Sequence, residues 1–350
     1  MTFERTAPEQ YDSIPEVPEP VEHAELFGHV EEGDELARAY RSGKFHHALI
    51  LSGPRGIGKA TFAFRLAHYL LANPDPAHAP STLARPDTAS TLFRLMAQGA
   101  HPSLLHLTRP AADRGAGFKS AVTVDEVRRV GRFLSMTAHD GGHRVVIVDA
   151  ADDMNRNAAN ALLKSLEEPP PRVLFLLIVH SIGRMLPTIR SRCQLLKLRP
   201  LASDDLIAAL RAVSPGSEAT EDVPADDLAA KAAGSVRQAL LLTQFGGLDI
   251  ANAVDALVSS GKFDAAAAYR IADAVGGRDA TVQFRLFNEH VAGIAEARAQ
   301  AAGYGGDAEL AARLAAQWAA FRQRIIDADT YNLDKRQHVV GLLGQLCGAH

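Results

Sequence analysis

The chain has 350 residues, of which 47% are hydrophobic and 22% charged, with a formal net charge of −4. This composition is typical of a globular protein with two or three domains. No run approaches the roughly 18 consecutive apolar residues of a membrane span, and the first residues lack the apolar segment of a secretory signal, so we expect a cytoplasmic protein. Two cysteines exclude a disulfide framework and a four-cysteine zinc site.

The acidic residues are concentrated at the start of the chain. Residues 1–35 contain 11 acidic residues and one arginine, which leaves the remainder mildly basic. A basic body permits contact with nucleic acid but does not require it. Residues 1–20, which include four prolines, are predicted to form a disordered acidic tail, because they offer little that can be buried.

From Leu26 onward, helical patterns alternate with short apolar runs. Continuous apolar runs of this length favour buried strands, and three are predicted: ALILSG, RVVIVDAAD and VLFLLIVHS. Helical structure is predicted from Leu26 through AYRSGKFHHA, and helices are predicted at ATFAFRLAHYLL, TVDEVRRVGRFLSMTA and NAANALLKSLEEPPP, where the prolines stop the helix. Residues 73–101, rich in Pro, Ala and Ser, are predicted to be irregular. The alternation indicates an α/β fold, with a parallel sheet covered by helices on both faces.

The alternating pattern ends near Arg199, and only alanine-rich helical periodicity follows from Leu206, with breaks near Gly216 and Gly305. We therefore predict three folded parts after the tail. They are an α/β domain at 21–202, a small helical domain at 203–246 and a larger helical domain at 250–350.

A phosphate-binding loop is predicted directly after the first strand. GPRGIGK matches the first seven positions of the GxxxxGK[ST] pattern, through Gly53, Gly56, Gly58 and Lys59. The backbone amides of such a loop and the start of the following helix form a nest for anions. Lys59 would neutralise the outer phosphates of a nucleotide.

Two positions argue against hydrolysis at this loop. The eighth position is Ala60, where a Ser or Thr hydroxyl normally binds magnesium. Thr61 comes one residue later, about 100° around the helix. Asp149 ends the second strand, where an acid assists the metal, but Ala150 follows in place of an acid that activates water. The loop therefore either binds ATP without hydrolysing it or is a remnant that binds no nucleotide.

Two arginines are candidates for phosphate contact. Arg192 follows the third strand in MLPTIRSRCQ, and Arg237 lies in GSVRQAL. A guanidinium is a planar fork of donors that can stabilise charge on a transferring phosphoryl group. The alternatives are a solvated surface charge at Arg192 and the polar face of an amphipathic helix at Arg237.

These motifs, together with LFGH, VDEVRRV and LLKSLEEPP, resemble the delta-prime subunits of bacterial DNA polymerase III, within the AAA+ clamp-loader family. The resemblance extends from about Leu26 to Leu240. It implies a RecA-like AAA+ domain, a helical lid and a helical collar that assembles a ring. It also implies that Arg192 acts in trans, in the ATP site of a neighbouring subunit. Arg237 would be the sensor 2 arginine, facing the phosphates of its own subunit.

The resemblance further implies the partners of the chain. These are the delta and gamma/tau subunits of the clamp loader, bound through the collar, and also the sliding clamp and primer-template DNA. Many relatives carry four zinc-binding cysteines after the loop helix, whereas residues 73–101 contain no cysteine, so no zinc is expected. The sensor 1 position, usually a threonine, falls at residues 179–181 (VHS).

Three other functions are weighed against this one. An ATP-hydrolysing clamp-loader motor subunit would need the hydroxyl and the acid that are missing at Ala60 and Ala150. A small-molecule kinase would need a substrate lid and a general base near the phosphates. A regulatory AAA+ scaffold would not require the two arginine motifs. We expect no independent catalysis, only a role as a component of a DNA polymerase III holoenzyme.

Overall fold

The computed structural model describes residues 5–113, 117–135, 142–214, 225–277, 280–331 and 333–348. The chain divides into two compact units, Met1–Gln238 and Ala239–His350. The predicted break near Gly216 lies outside the described residues. The boundaries predicted at residues 203 and 250 stay predictions.

A five-stranded parallel sheet forms the centre of the first unit. Its strand order is β2-β3-β4-β1-β5, and every pairing is parallel. The strands are β1 (Ala48–Ser52), β2 (Leu104–Leu107), β3 (Arg144–Asp149), β4 (Val173–Val179) and β5 (Gln194–Lys197). The predicted α/β fold with a parallel sheet is confirmed, and the three predicted strands are the three central ones.

The sequence pattern missed both outer strands. In β5 only one of four residues is even half-buried, and in β2 only Leu107 is fully buried. A strand that lies at the edge of a sheet buries less of its surface, so neither segment contains the long apolar run by which the central strands were recognised.

Nine α-helices lie wholly or partly in the described part of the first unit. They are α1 (Val30–Arg41), α2 (Lys59–Ala72), α3 (Thr91–Ala97), α4 (Val124–Ser135), α5 (Arg156–Glu167), α6 (Pro187–Arg190), α7 (Ser203–Val213), α8 (Ala225–Ala232) and α9 (Val236–Gln244). The prediction that residues 73–101 are irregular is wrong at α3. That helix is capped by Ser90, whose hydroxyl accepts a hydrogen bond from the amide of Phe93.

The sheet separates two hydrophobic layers. Alternate residues of a strand point to opposite faces; Leu49 and Leu51 pack with Phe62 of α2, whereas Ile50 packs with Leu162 of α5. All of these side chains are almost completely buried. Each contributes about 1.5–3 kcal/mol through removal from water, so the two layers fix the helices that flank the sheet.

The second unit is helical. After α9 it contains α10 (Gly247–Ser259), α11 (Ala265–Val275), α12 (Thr281–Tyr304), α13 (Ala308–Tyr331) and α14 (Lys335–Leu346). Its core includes Phe287, Phe321 and Leu342, all fully buried. The predicted break near Gly305 is confirmed, since α12 ends there. Across the described ranges, no helix combines the length and the apolar character needed to cross a membrane.

The start of the chain differs from the expected disordered tail. Residues 5–19, which we call the leader segment, bury the side chains of Ala7, Ile14 and Val17. The Arg5 guanidinium donates to the carbonyls of Ile14 at 2.6 Å and of Val17 at 3.0 Å. The segment is ordered because three of its apolar side chains are buried and Arg5 donates hydrogen bonds to its backbone. Neither interaction can be recognised from the composition of the segment.

Leu162→Ala tests the packing of the second layer. Because Leu162 is fully buried against the sheet, its truncation is expected to lower the free energy of unfolding by about 2–5 kcal/mol. Denaturation in urea measures the change. The control is Leu195→Ala, where the leucine is 44% exposed and a loss within about 0.5 kcal/mol is expected. Equal losses in the two variants would contradict the packing described.

Candidate functional site

The predicted phosphate loop lies between β1 and α2. Gly56 and Gly58 have φ angles of +77° and +95°, a left-handed conformation that glycine adopts without strain. Ile57 between them is fully buried, and its carbonyl contacts Nε2 of His29 at 3.0 Å. The loop therefore has the geometry of an anion nest at the start of a helix.

The loop is held against the start of α9. The amide of Val236 donates to the Gly56 carbonyl at 2.9 Å. A Cβ atom on Gly56 would lie 2.4 Å from the Cβ of Arg237 and 2.4 Å from the Ser235 hydroxyl, so only glycine allows this approach. The structure thereby brings Arg237 directly to the loop, as its predicted role requires.

Lys59 is turned toward its own loop. Its Nζ donates to the carbonyls of Gly53 at 2.8 Å and of Pro54 at 2.5 Å, and the residue is only 3% exposed. Burial lowers the pKa of Lys59 to about 8, against the opposing effect of Asp149. The ammonium therefore lies at the base of the loop, where an anion would add a further partner.

Asp149 lies at the same edge of the sheet as the loop. It pairs in register with Ile178 of β4, next to Val179, which pairs with Ser52 before the loop. Burial raises the pKa of Asp149 to about 7, and the charge of Asp12 raises it further, whereas Lys59 lowers it. Ala150, which follows, is fully buried and carries no acid.

The residues present do not fit a magnesium ion of the kind that hydrolytic sites hold. Ala60 packs against the hydrophobic layer under α2, and Thr61 is half-buried one position further along the helix. Within the described ranges, no three His, Cys, Asp or Glu side chains are placed to hold a metal.

Sequence reasoning missed two carboxylates at this edge. Asp152 accepts hydrogen bonds from the backbone amides of His180 at 3.1 Å and Ser181 at 2.9 Å. Asp153 accepts from Nε and Nη2 of Arg109 at 2.9 and 2.6 Å. Together they join the carboxyl ends of β2, β3 and β4. The adjacent acids in DAADDMN were the available signal.

The stretch 179–181, where sensor 1 is predicted, contains His180, which is neutral at physiological pH. Burial, followed by the charges of Lys59 and Arg55, lowers the pKa of His180 to about 3. Neither ring nitrogen has a hydrogen-bond partner among the described residues. His180 is therefore not a cation that could contact a phosphate.

Arg192 follows α6 and pairs within its own unit. Its Nη2 lies 2.7 Å from Oε1 of Glu167, the last residue of α5. Its Nη1 donates to the Thr188 carbonyl at 2.8 Å and contacts the Ser191 hydroxyl at 3.2 Å. The side chain is 35% exposed, so it lies at the surface in a defined orientation.

The structure does not bring Arg192 to the loop of its own chain. Arg192 precedes the amino end of β5, where Gln194 pairs with Leu49 near the start of β1. The loop follows Ser52 at the other end of β1. Leu49 and Gly53 are four residues apart, so the two edges are about 13 Å apart along the strand. Arg192 and the loop thus lie at opposite edges of the sheet.

The sequence was also compared with known protein families. The family model described as "DNA polymerase III, delta subunit" matches residues 29–202. These residues include the loop, Asp149 and Arg192, but not the leader segment or the second unit.

The individual proteins to which the chain is similar are also subunits of DNA polymerase III. The chain is similar to the DNA polymerase III subunit delta' of Pseudomonas aeruginosa, with 41% identity over 42% of this chain and 41% of that protein. It is 35% identical to the delta' subunit of Escherichia coli over 53% of this chain and 57% of that one. It is also 29% identical to a gamma subunit of Buchnera aphidicola, over 60% and 54% of the two chains. The chain therefore spans about half the length of these relatives.

We expect the isolated chain to hydrolyse no ATP above background, because Ala60 supplies no metal ligand and Ala150 no base. General base assistance alone is typically worth about 10² to 10⁴ in rate. Release of phosphate from ATP measures this, with Lys59→Ala as the comparison. A turnover that disappears in Lys59→Ala would show that the loop hydrolyses ATP despite both substitutions.

Proposed function

Because the chain belongs, through residues 29–202, to the DNA polymerase III, delta subunit family, we propose that it is the delta-prime subunit of a bacterial clamp loader. In this role it joins delta and gamma/tau subunits in the cytoplasm, through the helical region at 250–350. The assembly opens the sliding clamp and places it on primer-template DNA. The chain itself contributes an arginine rather than a hydrolytic site.

The observation that carries this proposal is the placement of Arg192. A guanidinium at the edge opposite its own loop cannot reach phosphates bound there, so its use in phosphoryl transfer requires a second subunit. Arg192 is partly exposed and already oriented by Thr188 and Glu167. Orientation before binding reduces the loss of side-chain freedom when the arginine meets its target.

Glu167 supplies the charge that holds Arg192 while no neighbour is bound. Both side chains are substantially exposed, at 35% and 46%. Exposed ion pairs of this kind contribute about 1 kcal/mol or less. A triphosphate carries several negative charges and binds arginine in the same forked geometry, so it would displace Glu167 at little energetic cost. The ion pair and the role in trans are therefore compatible.

The nucleotide site of the chain itself is proposed to bind ATP without turnover. The glycines of the loop and Lys59 supply amides and a cation for phosphates, and Arg237 lies beside them. Ala60 and Ala150 leave this arrangement without a metal ligand and without a base. The site would then serve assembly or signalling within the ring rather than hydrolysis.

The main alternative is an ATP-hydrolysing motor subunit of the same family. The similarity to a gamma subunit favours it, at 29% identity over 60% of the chain. The residues of this chain argue against a motor subunit, because alanine stands at the two positions, 60 and 150, where hydrolysis needs a metal ligand and a base. A delta-prime role requires neither group and uses the arginine that is present.

The proposal is tested by Arg192→Ala in a clamp loader assembled with its partner subunits. We expect the variant to fold and assemble, but to lower the ATPase that clamp and primed DNA stimulate. Trans-acting arginines are worth about 10³ to 10⁵ in turnover at the site they serve. Only one of several sites is affected, so the total rate should fall partially. Arg192→Lys should rescue poorly, since an ammonium lacks the forked geometry.

Two controls separate this role from a structural one. Arg190→Ala removes an exposed arginine two residues away and should leave the ATPase unchanged. Glu167→Gln removes the partner of Arg192 and should also preserve it. If Arg192→Ala and Glu167→Gln lower the thermal stability of the isolated chain equally, and neither alters the ATPase of the complex, then Arg192 serves only its own unit and the proposal is wrong.

A further inference from the structure

The leader segment, residues 5–19, lies on the phosphate loop. Nη2 of Arg55, a residue of the loop, donates to the Tyr11 hydroxyl at 2.8 Å. Arg237 donates through Nη1 to the backbone carbonyl of Asp12. The same nitrogen lies 4.0 Å from Oδ2 of Asp12. Tyr11 and Asp12 thus engage one cation of the loop and the arginine proposed to face the phosphates.

The ring of Tyr11 is held by two cations. The guanidinium carbon of Arg109 lies 4.3 Å from the ring centroid, and that of Arg55 lies 5.5 Å away. Both distances are within the range of cation–π attraction. Burial raises the pKa of the Tyr11 hydroxyl, so the side chain remains neutral. A flat aromatic ring therefore lies among the arginines beside the loop.

The carboxylate of Asp12 acts on two ionisable groups of the site, Asp149 and Lys59. It raises the pKa of Asp149, after the larger effect of burial, and it opposes the lowering of the Lys59 pKa that burial causes. Charge interactions fall with distance, so these effects place Asp12 within the electrostatic field of the loop. It is an anion beside the cations that a phosphate would use.

The leader segment has its own structural support at this position. Arg5 ties the backbone at Ile14 and Val17, and both of these side chains are buried. The hydroxyl of Thr108, just after β2, donates to the Gln10 side chain at 2.7 Å. Contacts therefore flank Tyr11 and Asp12 on both sides. Several contacts, and not a single residue, therefore hold the leader segment at this position.

We propose that the leader segment is an internal occupant of the nucleotide site, with Asp12 in the role of a phosphate and Tyr11 beside it as an aromatic group. Tyr11 and Asp12 place an aromatic ring next to a negative charge, and a nucleotide combines the same two features in its base and its phosphates. The leader takes up Nη1 of Arg237 and Nη2 of Arg55, two donors beside the loop for which bound phosphates would compete. A nucleotide therefore binds only when the leader segment leaves.

The proposal goes beyond the role in the clamp loader, because it concerns the loop of the isolated chain. Occupancy by the leader raises the apparent Kd of nucleotide in inverse proportion to the fraction of chains whose site is open. A leader that is docked nine-tenths of the time would weaken binding about tenfold.

The first test is a titration of the full chain with the fluorescent nucleotide N-methylanthraniloyl-ATP. The variant carries Tyr11→Ala and Asp12→Ala together, which removes the ring and the carboxylate. We expect it to bind about tenfold more tightly, or better, than the unchanged chain. The matched control is Glu9→Ala, which removes an exposed carboxylate from the same segment and should not alter the affinity. Equal affinity in all three proteins, or no binding to the double variant, would overturn the proposal.

The second test needs no substitution and therefore does not depend on the variant's folding. Hydrogen–deuterium exchange of residues 5–19 is measured in the unchanged chain, with and without saturating ATP. Displacement of the leader predicts faster exchange of these amides when ATP is present. Unchanged or slower exchange would overturn the proposal. Both tests use the isolated chain, so a failure of the Arg192 experiment in the assembled complex is a separate result.

Discussion

The common direction of β1 and β5 is the constraint on which both proposed sites depend. Parallel strands place all their carboxyl ends at one edge of the sheet and all their amino ends at the other. The phosphate loop follows the carboxyl end of β1, whereas Arg192 precedes the amino end of β5. Under the proposed function, one chain carries half of each of two phosphate sites, and neither half can complete the other.

Several charged side chains lie at the carboxyl edge of the sheet, next to the phosphate loop, and their charges must be balanced within the fold. Lys59 is nearly inaccessible, and Asp149 is half-buried, with a pKa that desolvation raises to about 7. Buried charge is costly unless it is paired. Carbonyls of the loop satisfy Lys59, and the leader brings Asp12 to Arg237. In a hydrolytic site, a nucleotide and a metal would supply this balance. Here the leader segment of the same chain supplies part of this charge balance. That agrees with Ala60, which provides no ligand for a metal.

The sequence predicted the parts of the fold that depend on local pattern. Buried strands have continuous apolar runs, and the loop has fixed spacing between Gly53, Gly58 and Lys59. The strand β5 escaped prediction because its exposed position requires no such run. The leader escaped for another reason: Ile14 and Val17 are buried although no apolar periodicity surrounds them, and their backbone carbonyls accept hydrogen bonds from Arg5. Likewise, no local spacing links Arg192 with Glu167, which joins it only across the tertiary fold.

The central claim is that Arg192 reaches the phosphates of a neighbouring subunit. The most direct measurement is photo-crosslinking in the assembled complex, with an ATP analogue that carries an arylazide on its γ-phosphate. The account predicts label on this chain in the peptide that contains residues 187–194, and its loss when the loop lysine of the neighbouring ATPase is replaced. Label on this chain confined to residues 53–59, or label near Arg192 that persists without the neighbour's nucleotide site, would contradict it.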